Sequence, residues 1–280
     1  MNIAILITSF NRVKTTISAL RSLYTSINKC NANNNFDIYL VDDKSPDNTG
    51  VIVKEIFPDI NVIIGSGNLF WGGGTNLAWE TATSQKEYDG FIWFNDDCEL
   101  FEDSLSILLN YIDDKTIIGG AFKSQIDGKT TYGGKLKSNK SFIVPNKKYQ
   151  NIDLLNGNLV YIPNYIFQKL GYIDKVFKHG NGDYDYGLRA KKNGFFLRLT
   201  PVHVGVCERH DFNIIPCFNK ELPLLKRLEI LYSPRYSPYS MFIYRKRHYN
   251  IWCAIASFFI LNIYAFIPFI YIHRLKRRKL

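Results

Sequence analysis

Two acidic doublets stand at the ends of apolar runs in this sequence. Asp42-Asp43 follows Phe36–Val41, and Asp96-Asp97, preceded by Asn95, follows Gly90–Phe94. Their short carboxylates offer the hard oxygen donors that Mg²⁺ and Mn²⁺ prefer. Brought to one edge of a sheet, the doublets repel each other unless a divalent cation or a ligand rich in hydrogen-bond donors lies between them. One such doublet alone is as well explained by a turn or cap, because Asp hydrogen-bonds its own backbone. Two at strand ends point to a site. Asp183, with Asp185 close behind, opens a helical stretch, where a carboxylate acts as a general base or caps the helix. His203 and His210 follow the next strand. The segment Trp71-Gly72-Gly73-Gly74-Thr75-Asn76 allows close approach of backbone to a ligand just ahead of a helix N-terminus, a natural anion site.

The elements that must position these groups alternate. Ile3–Thr8 is a buried-strand pattern, Val13–Asn28 a helical one, and Phe36–Val41 a second strand. Ser45-Pro46-Asp47 reads as an N-cap, a proline at the first helical position and an acid in the first turn, opening a helix that Pro58 closes. Asn61–Ile64, Thr75–Gln85 and Gly90–Phe94 read as strand, helix and strand. Ile117–Phe122 and Leu154–Ile162 are further strands, separated by a polar stretch from Ser124 to Gln150 that carries no assignment. Asp183–Asn193 is a helix stopped by Gly194, and Phe195–Leu199 a strand. This alternation predicts an α/β fold, Rossmann-like, with a mostly parallel sheet covered by helices on both faces. In such sheets ligands bind beyond the carboxyl ends of the strands. That rule brings Thr8-Ser9-Phe10-Asn11-Arg12 and both doublets to one edge. The first strand-to-helix turn has no G-x-G-x-x-G, which excludes a dinucleotide fold.

The net charge of +10 does not make this a nucleic-acid binder. Nine of the 35 basic residues lie beyond Glu229, where no acidic residue follows, and the first 229 residues carry 26 basic against 25 acidic groups. The basicity belongs to a tail around Ile251–Ile272, 22 residues without a charge, interrupted by Asn262 and Pro268. That pattern favours an anionic membrane surface, met by a kinked, shallow or re-entrant helix more readily than by a single clean span. The chain accordingly divides into a domain over residues 1–225 and a basic, apolar, membrane-associating region over 226–280. The five cysteines are scattered without a C-x-x-C pair, so neither a zinc site nor a disulfide framework follows, and a reducing compartment is the plain reading. Met1–Phe10 lacks the basic start and cleavage site of a signal peptide.

Five segments, in order over residues 3 to about 210, carry a family resemblance: Thr8-Ser9-Phe10-Asn11-Arg12, Val41–Thr49, Asn68–Asn76, Phe94-Asn95-Asp96-Asp97 and Gly182–Ala190. Together they resemble glycosyltransferase family 2, whose members have a GT-A fold, and most closely its rhamnosyltransferase-like branch in bacterial surface-polysaccharide synthesis. The resemblance implies transfer of a sugar from a nucleotide-diphosphate donor, with inversion, onto a saccharide acceptor on a lipid carrier. It implies a nucleotide-sugar site built from Thr8, Asn11, Asp42, Asp43, Asn68, Trp71, Gly73, Asn76, Asn95 and Asp96, with Trp71 either stacking on a sugar ring or packing. Asp97 would bind Mg²⁺ or Mn²⁺, His203 would complete its shell, and Asp183 would be the base, with Asp185 as a supporting or alternative carboxylate. Two positions depart from the family pattern: Asn95 stands where the D-x-D motif has its first acid, and Gly182 where a Glu is common. Because nucleotide sugars are cytoplasmic, the expected location is the cytoplasmic face of the inner membrane. The motifs leave one alternative, an inactive relative serving a membrane-bound assembly, against which the retained Asp97 and Asp183 argue.

Overall fold

A computed structural model describes residues 1–138, 141–209 and 214–278, with side chains as far as Arg274. The first half is a run of strand–helix units: β1 (Asn2–Ser9), α1 (Val13–Lys29), β2 (Asn35–Asp42), α2 (Thr49–Ile56), β3 (Asn61–Ile64), α3 (Phe70–Gln85) and β4 (Gly90–Phe94). Then follow β5 (Glu99–Leu100), α4 (Ser104–Leu109), β6 (Thr116–Lys123), β7 (Thr130–Tyr132), β8 (Gly134–Lys135), β9 (Gln150–Asn151), β10 (Leu154–Leu155) and β11 (Leu159–Pro163). After α5 (Asn164–Leu170), α6 (Gly182–Lys192) and β12 (Phe196–Val206), the chain ends in α7 (Leu224–Leu231), α8 (Pro238–His248), α9 (Ile251–Phe266) and α10 (Pro268–Arg278).

Among the described residues ten strands form one sheet, in the order β3-β2-β1-β4-β11-β6-β12-β5 with β7 and β9 at its margins. β3, β2, β1 and β4 run parallel, and so do β6 and β12. β11 enters antiparallel between β4 and β6, so the sheet is mixed but mostly parallel. Both faces are apolar because both are covered. Ile3, Ile5 and Ile7 pack with Leu20 and Leu23 of α1, while Ala4 and Leu6 on the other face join Trp79 of α3 and Tyr186 of α6.

Four boundaries differ from expectation, each for a tertiary reason. α2 begins at Thr49 and not at Ser45-Pro46-Asp47. Those residues form a loop whose backbone is held by Asp42, which accepts from Ser45 N–H, while Asp47 accepts from Thr49 N–H and, across the loop, from Val13 N–H at the start of α1. Leu154–Ile162 is broken by Asn156-Gly157-Asn158, and β12 runs past Leu199 to Val206.

The fourth difference is α3, which starts at Phe70 and takes in all three glycines expected in a ligand-facing turn. The close approach they allow is to protein. A Cβ on Gly72 would lie 2.2 Å from the Phe177 carbonyl oxygen, and one on Gly74 would lie 2.3 Å from Thr8 Cγ2. Alanine raises helix propensity by about 1 kcal/mol over glycine, yet backbone cannot yield to a contact this short. Gly72→Ala is therefore expected to lower stability by a net of about 1–3 kcal/mol, read as a lower midpoint in urea unfolding.

The C-terminal helices pack on the domain. Arg227 of α7 donates to the carbonyl of Ala265 in α9, and Arg247 and His248 at the end of α8 both reach Asp185 of α6. α9 and α10 meet at 109° ahead of Pro268. No single helix among the described residues is long and apolar enough to cross a membrane, although the bent pair has the length and composition together. α9 alone spans about 24 Å, short of a bilayer core of about 30 Å. Trp252, Phe259, Phe266 and Phe269 lie exposed along this pair.

Candidate functional site

A cavity of about 440 Å³ opens beyond the carboxyl ends of β1 and β4, where an open α/β sheet is expected to bind its ligand. Thr8 and Ser9 come to it from β1, Asn95-Asp96-Asp97 from β4, and Asp43 from the end of β2. Phe70 and Trp71 enter from the first turn of α3, and Asp183 from the first turn of α6.

Asp96 is 5% exposed. Its Oδ1 accepts from Arg12 Nη1 and its Oδ2 from Thr16 Oγ1, both at 3.2 Å. The same Arg12 nitrogen lies 3.2 Å from Asp97 Oδ2, so one guanidinium bridges the doublet. Burial pushes the Asp96 carboxyl up to about 6, against the pull of Arg12 and its hydroxyl partners. The doublet thus holds a cation between two carboxylates, and its hard oxygens suit a divalent ion at the same place.

Asp183 is not the cap of its helix. Asn181 occupies the N-cap, with φ +66°, and Asp183 sits inside the first turn with one oxygen on Gly157 N–H at 3.1 Å and the other on Tyr184 N–H at 2.8 Å. Burial pushes its carboxyl up to about 6, opposed by those two N–H groups and by nearby Lys135. A carboxylate with that pKa at a cavity wall is ionised at neutral pH and basic enough to take a proton. Asp185 plays a different part. It is fully buried and turned to the C-terminal helices, with Arg189 at 2.9 Å, Arg247 at 2.7 Å and His248 at 2.8 Å. Burial alone would raise its pKa, but these partners hold it below the usual carboxylate range. It is an anchor and not a second base.

The other expected residues separate into two groups. Trp71 lines the cavity, but its indole N–H is given to Asn95 Oδ1 at 2.8 Å and its ring meets Trp93 edge-on at 5.6 Å. A Cβ on Gly157 would lie 2.4 Å from that ring. Trp71 therefore packs, and in packing it fixes Asn95 and Gly157. Asp43 also lines the cavity while accepting from the N–H groups of Gly67, Leu69 and Phe70, which secures the entrance to α3. Asp42, Asn11, Asn68, Gly73 and Asn76 do not line it. Asp42 is taken up by Ser45 N–H and Gly50 N–H, and Asn76 makes a two-way bond with the backbone of Ile173. His203 also lies apart from Asp97, with Nε2 on Thr130 Oγ1 at 2.9 Å. His210 lies outside the described residues.

Three contributors were not assigned a place from sequence, namely Tyr132, the Asn156-Gly157-Asn158 break and His179 just before α6, and Arg12 was placed at the edge without its bridging role. The polar break inside an otherwise apolar run was the one local signal for them. Three residues that line the cavity each carry a buried polar atom with no protein partner: Thr8 Oγ1, Asn156 Oδ1 and His179 Nδ1. Since buried polar groups are nearly always paired, three such residues around one cavity suit a site shaped for a polar ligand. Burial, assisted by Arg235 and Arg12, lowers His179 to about 4, so it meets that ligand as a neutral ring at physiological pH.

A comparison with curated proteins finds no match. Solved structures share the fold. Staphylococcus aureus TarS, residues 1–349, aligns with a TM-score of 0.53 at 15% identity over 94% of this chain and 72% of its own. The same TarS fragment in complex with UDP-GlcNAc aligns with a TM-score of 0.55 at 12% identity over 94% and 90%. A mannosyltransferase from Pyrobaculum calidifontis, in complex with GDP-Man and Mn²⁺, aligns with a TM-score of 0.53 at 15% identity over 91% and 73%. The mixed sheet with helices on both faces fits the GT-A fold. The sequence itself matches the family model described as glycosyl transferase family 2 over residues 4–177. That match takes in both doublets, the bridging Arg12 and the broken strand of the cavity, and covers well over half of the chain, which therefore belongs to glycosyl transferase family 2 and is a glycosyltransferase.

Proposed function

We propose that the chain moves a sugar from a nucleotide-diphosphate donor to a saccharide acceptor carried on a lipid, with inversion, as in the rhamnosyltransferase-like branch of the family. The observation that carries this reading is the meeting, around one cavity, of a carboxylate of raised pKa, a cation-bridged doublet and three residues with partnerless polar atoms. The complexes of similar folds with UDP-GlcNAc and with GDP-Man and Mn²⁺ support a donor of this class.

Asp183 accepts the proton of an acceptor hydroxyl as its oxygen attacks the anomeric carbon, while the bond to the diphosphate breaks on the opposite side. Asp183 lies beyond the span matched by the family model, so its part rests on geometry: Gly157 N–H and Tyr184 N–H fix its oxygens. Asp97 and Asp96 are the residues to hold Mg²⁺ or Mn²⁺, which when bound neutralises charge on the departing diphosphate. Arg12, at the rim beside the doublet, would meet a phosphate oxygen of the donor. Thr8, Asn156 and His179 orient the donor through their unpaired atoms. The test is donor hydrolysis across a panel of nucleotide sugars with Mn²⁺ or Mg²⁺. Metal-dependent turnover of one donor, lowered at least a hundredfold in Asp97→Ala, is the expected result. Silence toward every donor, with no thermal shift by any nucleotide, would sink the reading.

Residues 1–225 form the transferase domain in this reading, and 226–280 hold it to the cytoplasmic face of the membrane. The exposed aromatics of α9 and α10, next to a tail rich in Arg and Lys, suit anionic lipid. Flotation with phosphatidylglycerol vesicles is expected to carry the protein upward, and Phe259→Glu with Phe269→Glu to weaken binding about tenfold or more. Equal flotation with neutral vesicles would remove the electrostatic part of the proposal.

A further inference from the structure

The fold brings Cys98 and Cys207 face to face. β12 and β5 pair antiparallel, with Gly205 opposite Leu100 and Val206 opposite Glu99, so the next step of that register sets Cys207 against Cys98. Both thiols turn to Asp97. Cys98 Sγ lies 3.8 Å and Cys207 Sγ 3.9 Å from the same Asp97 Oδ1, and the three donor atoms lie within 4.8 Å of one another. In a tetrahedral zinc shell, bonds of about 2.3 Å to sulfur and about 2.1 Å to oxygen separate sulfur from oxygen by about 3.6 Å. The observed spacings thus need only small shifts to close on an ion.

Two neighbours favour such an ion. The Asn158 amide donates to both sulfurs, at 3.4 Å and 3.6 Å, the kind of outer support that orients metal-bound thiolates. A second cavity, of about 390 Å³, shares Arg12 and Asp97 with the first and opens onto Cys207, Glu99 and Glu208. It offers a cation an acidic route to the sulfurs and a place for water as a fourth ligand.

We propose that Asp97, Cys98 and Cys207 form a site for a thiophilic divalent cation, Zn²⁺ or Cd²⁺, which on binding withdraws Asp97 from the donor cavity. Binding forms two metal–sulfur bonds and one metal–oxygen bond, breaks two S–H bonds and releases two protons, with no change of oxidation state. The two thiolates balance the charge of the ion, so the buried site gains no net charge. Thiolate ligands select Zn²⁺ and Cd²⁺, while Mg²⁺ keeps to oxygen. The ion therefore competes with Mg²⁺ for Asp97 and inhibits transfer. The site stands on its own distances; only the inhibition rests on the role proposed for Asp97.

The experiment titrates the reduced full-length chain with Cd²⁺, following the ultraviolet thiolate-to-cadmium absorbance and the protons released, independently of any turnover. One equivalent should saturate the band and release two protons, and Cys98→Ser or Cys207→Ser should each abolish saturation at one equivalent. No band at micromolar Cd²⁺ would overturn the proposal. So would a band undiminished in the double variant, which would assign it to Cys30, Cys217 or Cys253. The cadmium-113 resonance of the unmodified chain needs no variant to fold: a shift typical of two-sulfur coordination is expected, and an all-oxygen shift would overturn the site.

Discussion

Asp183→Asn is expected to lower the rate of transfer by a factor of about 10² to 10⁴, the usual contribution of a positioned general base, while leaving donor affinity unchanged. The amide keeps the shape of the carboxylate and still accepts from Gly157 N–H or Tyr184 N–H, so the loss falls on kcat at saturating donor. The pH profile is the companion result. Asp183 is pushed up to about 6, so kcat/KM should rise through pH 6 and level off above it. Asp96 is raised to about the same value, so the acid limb combines the titration of two groups. Stability should move the other way. A carboxyl whose folded pKa lies above its unfolded value of about 4 stabilises the fold fully below pH 4, and that contribution is lost as pH rises through 6. At pH 7.5 the ionised Asp183 therefore costs stability, and the Asn variant should melt no lower than the unmodified chain. A variant that keeps its kcat, or that loses activity only in step with a fallen Tm, would return Asp183 to a structural part in α6.

Asp185→Asn should produce the opposite signature. This side chain, two residues along the same helix, is fully buried and shared by Arg189, Arg247 and His248. Removing its charge leaves Arg189 without its acidic partner and Arg247 with Asp174 alone, at a cost of about 3–5 kcal/mol for breaking a buried pair. In a chain of this size that corresponds to a fall in Tm on the order of 10 °C. The pKa of Asp185 is lowered, so its contribution is present above its unfolded pKa of about 4 and is lost as pH falls through the lower folded value. The gap between the two proteins should then be full at pH 7 and shrink in strong acid. Thermal unfolding at both pH values, beside kcat of the fraction still folded, separates the two carboxylates: Asp183 governs rate, Asp185 governs stability. A loss of kcat from Asp185→Asn at unchanged Tm would contradict this division. Arg247 and His248 end α8, so the same cluster latches the C-terminal helices onto the helix that carries Asp183.

Much of this was legible without coordinates because its causes are local. β1, β2 and β4 alternate large apolar residues on both faces, which only a strand covered on both sides requires, and their polar ends had to form the rim where ligands bind. Asp43, Asn95, Asp96, Asp97 and Thr8 were found from that rule and from the family motifs, and the cavity contains them all. What escaped the sequence depends on contacts between distant segments. Glycine disfavours a helix, so Gly72-Gly73-Gly74 reads as a turn until Phe177 and Thr8 are seen where a Cβ would fall. Asn76 and Asp42 have the composition of ligand contacts, yet backbone from Ile173 and Gly50 claims them. Trp71 offers a ring for stacking, but Trp93 already meets it edge-on and Gly157 packs against it. Arg12 carries a charge whose partner nothing in its own segment reveals. Cys98 and Cys207 form no motif at all; they meet only because β12 continues to Val206 and pairs with β5. Sequence alone determined the strands β1, β2, β3 and β4 and the polar residues that end them, because periodicity and termination act over a few residues. Tertiary structure alone decided which of those polar groups remained unspent for chemistry, because that depends on which distant backbone or side chain reaches each one first.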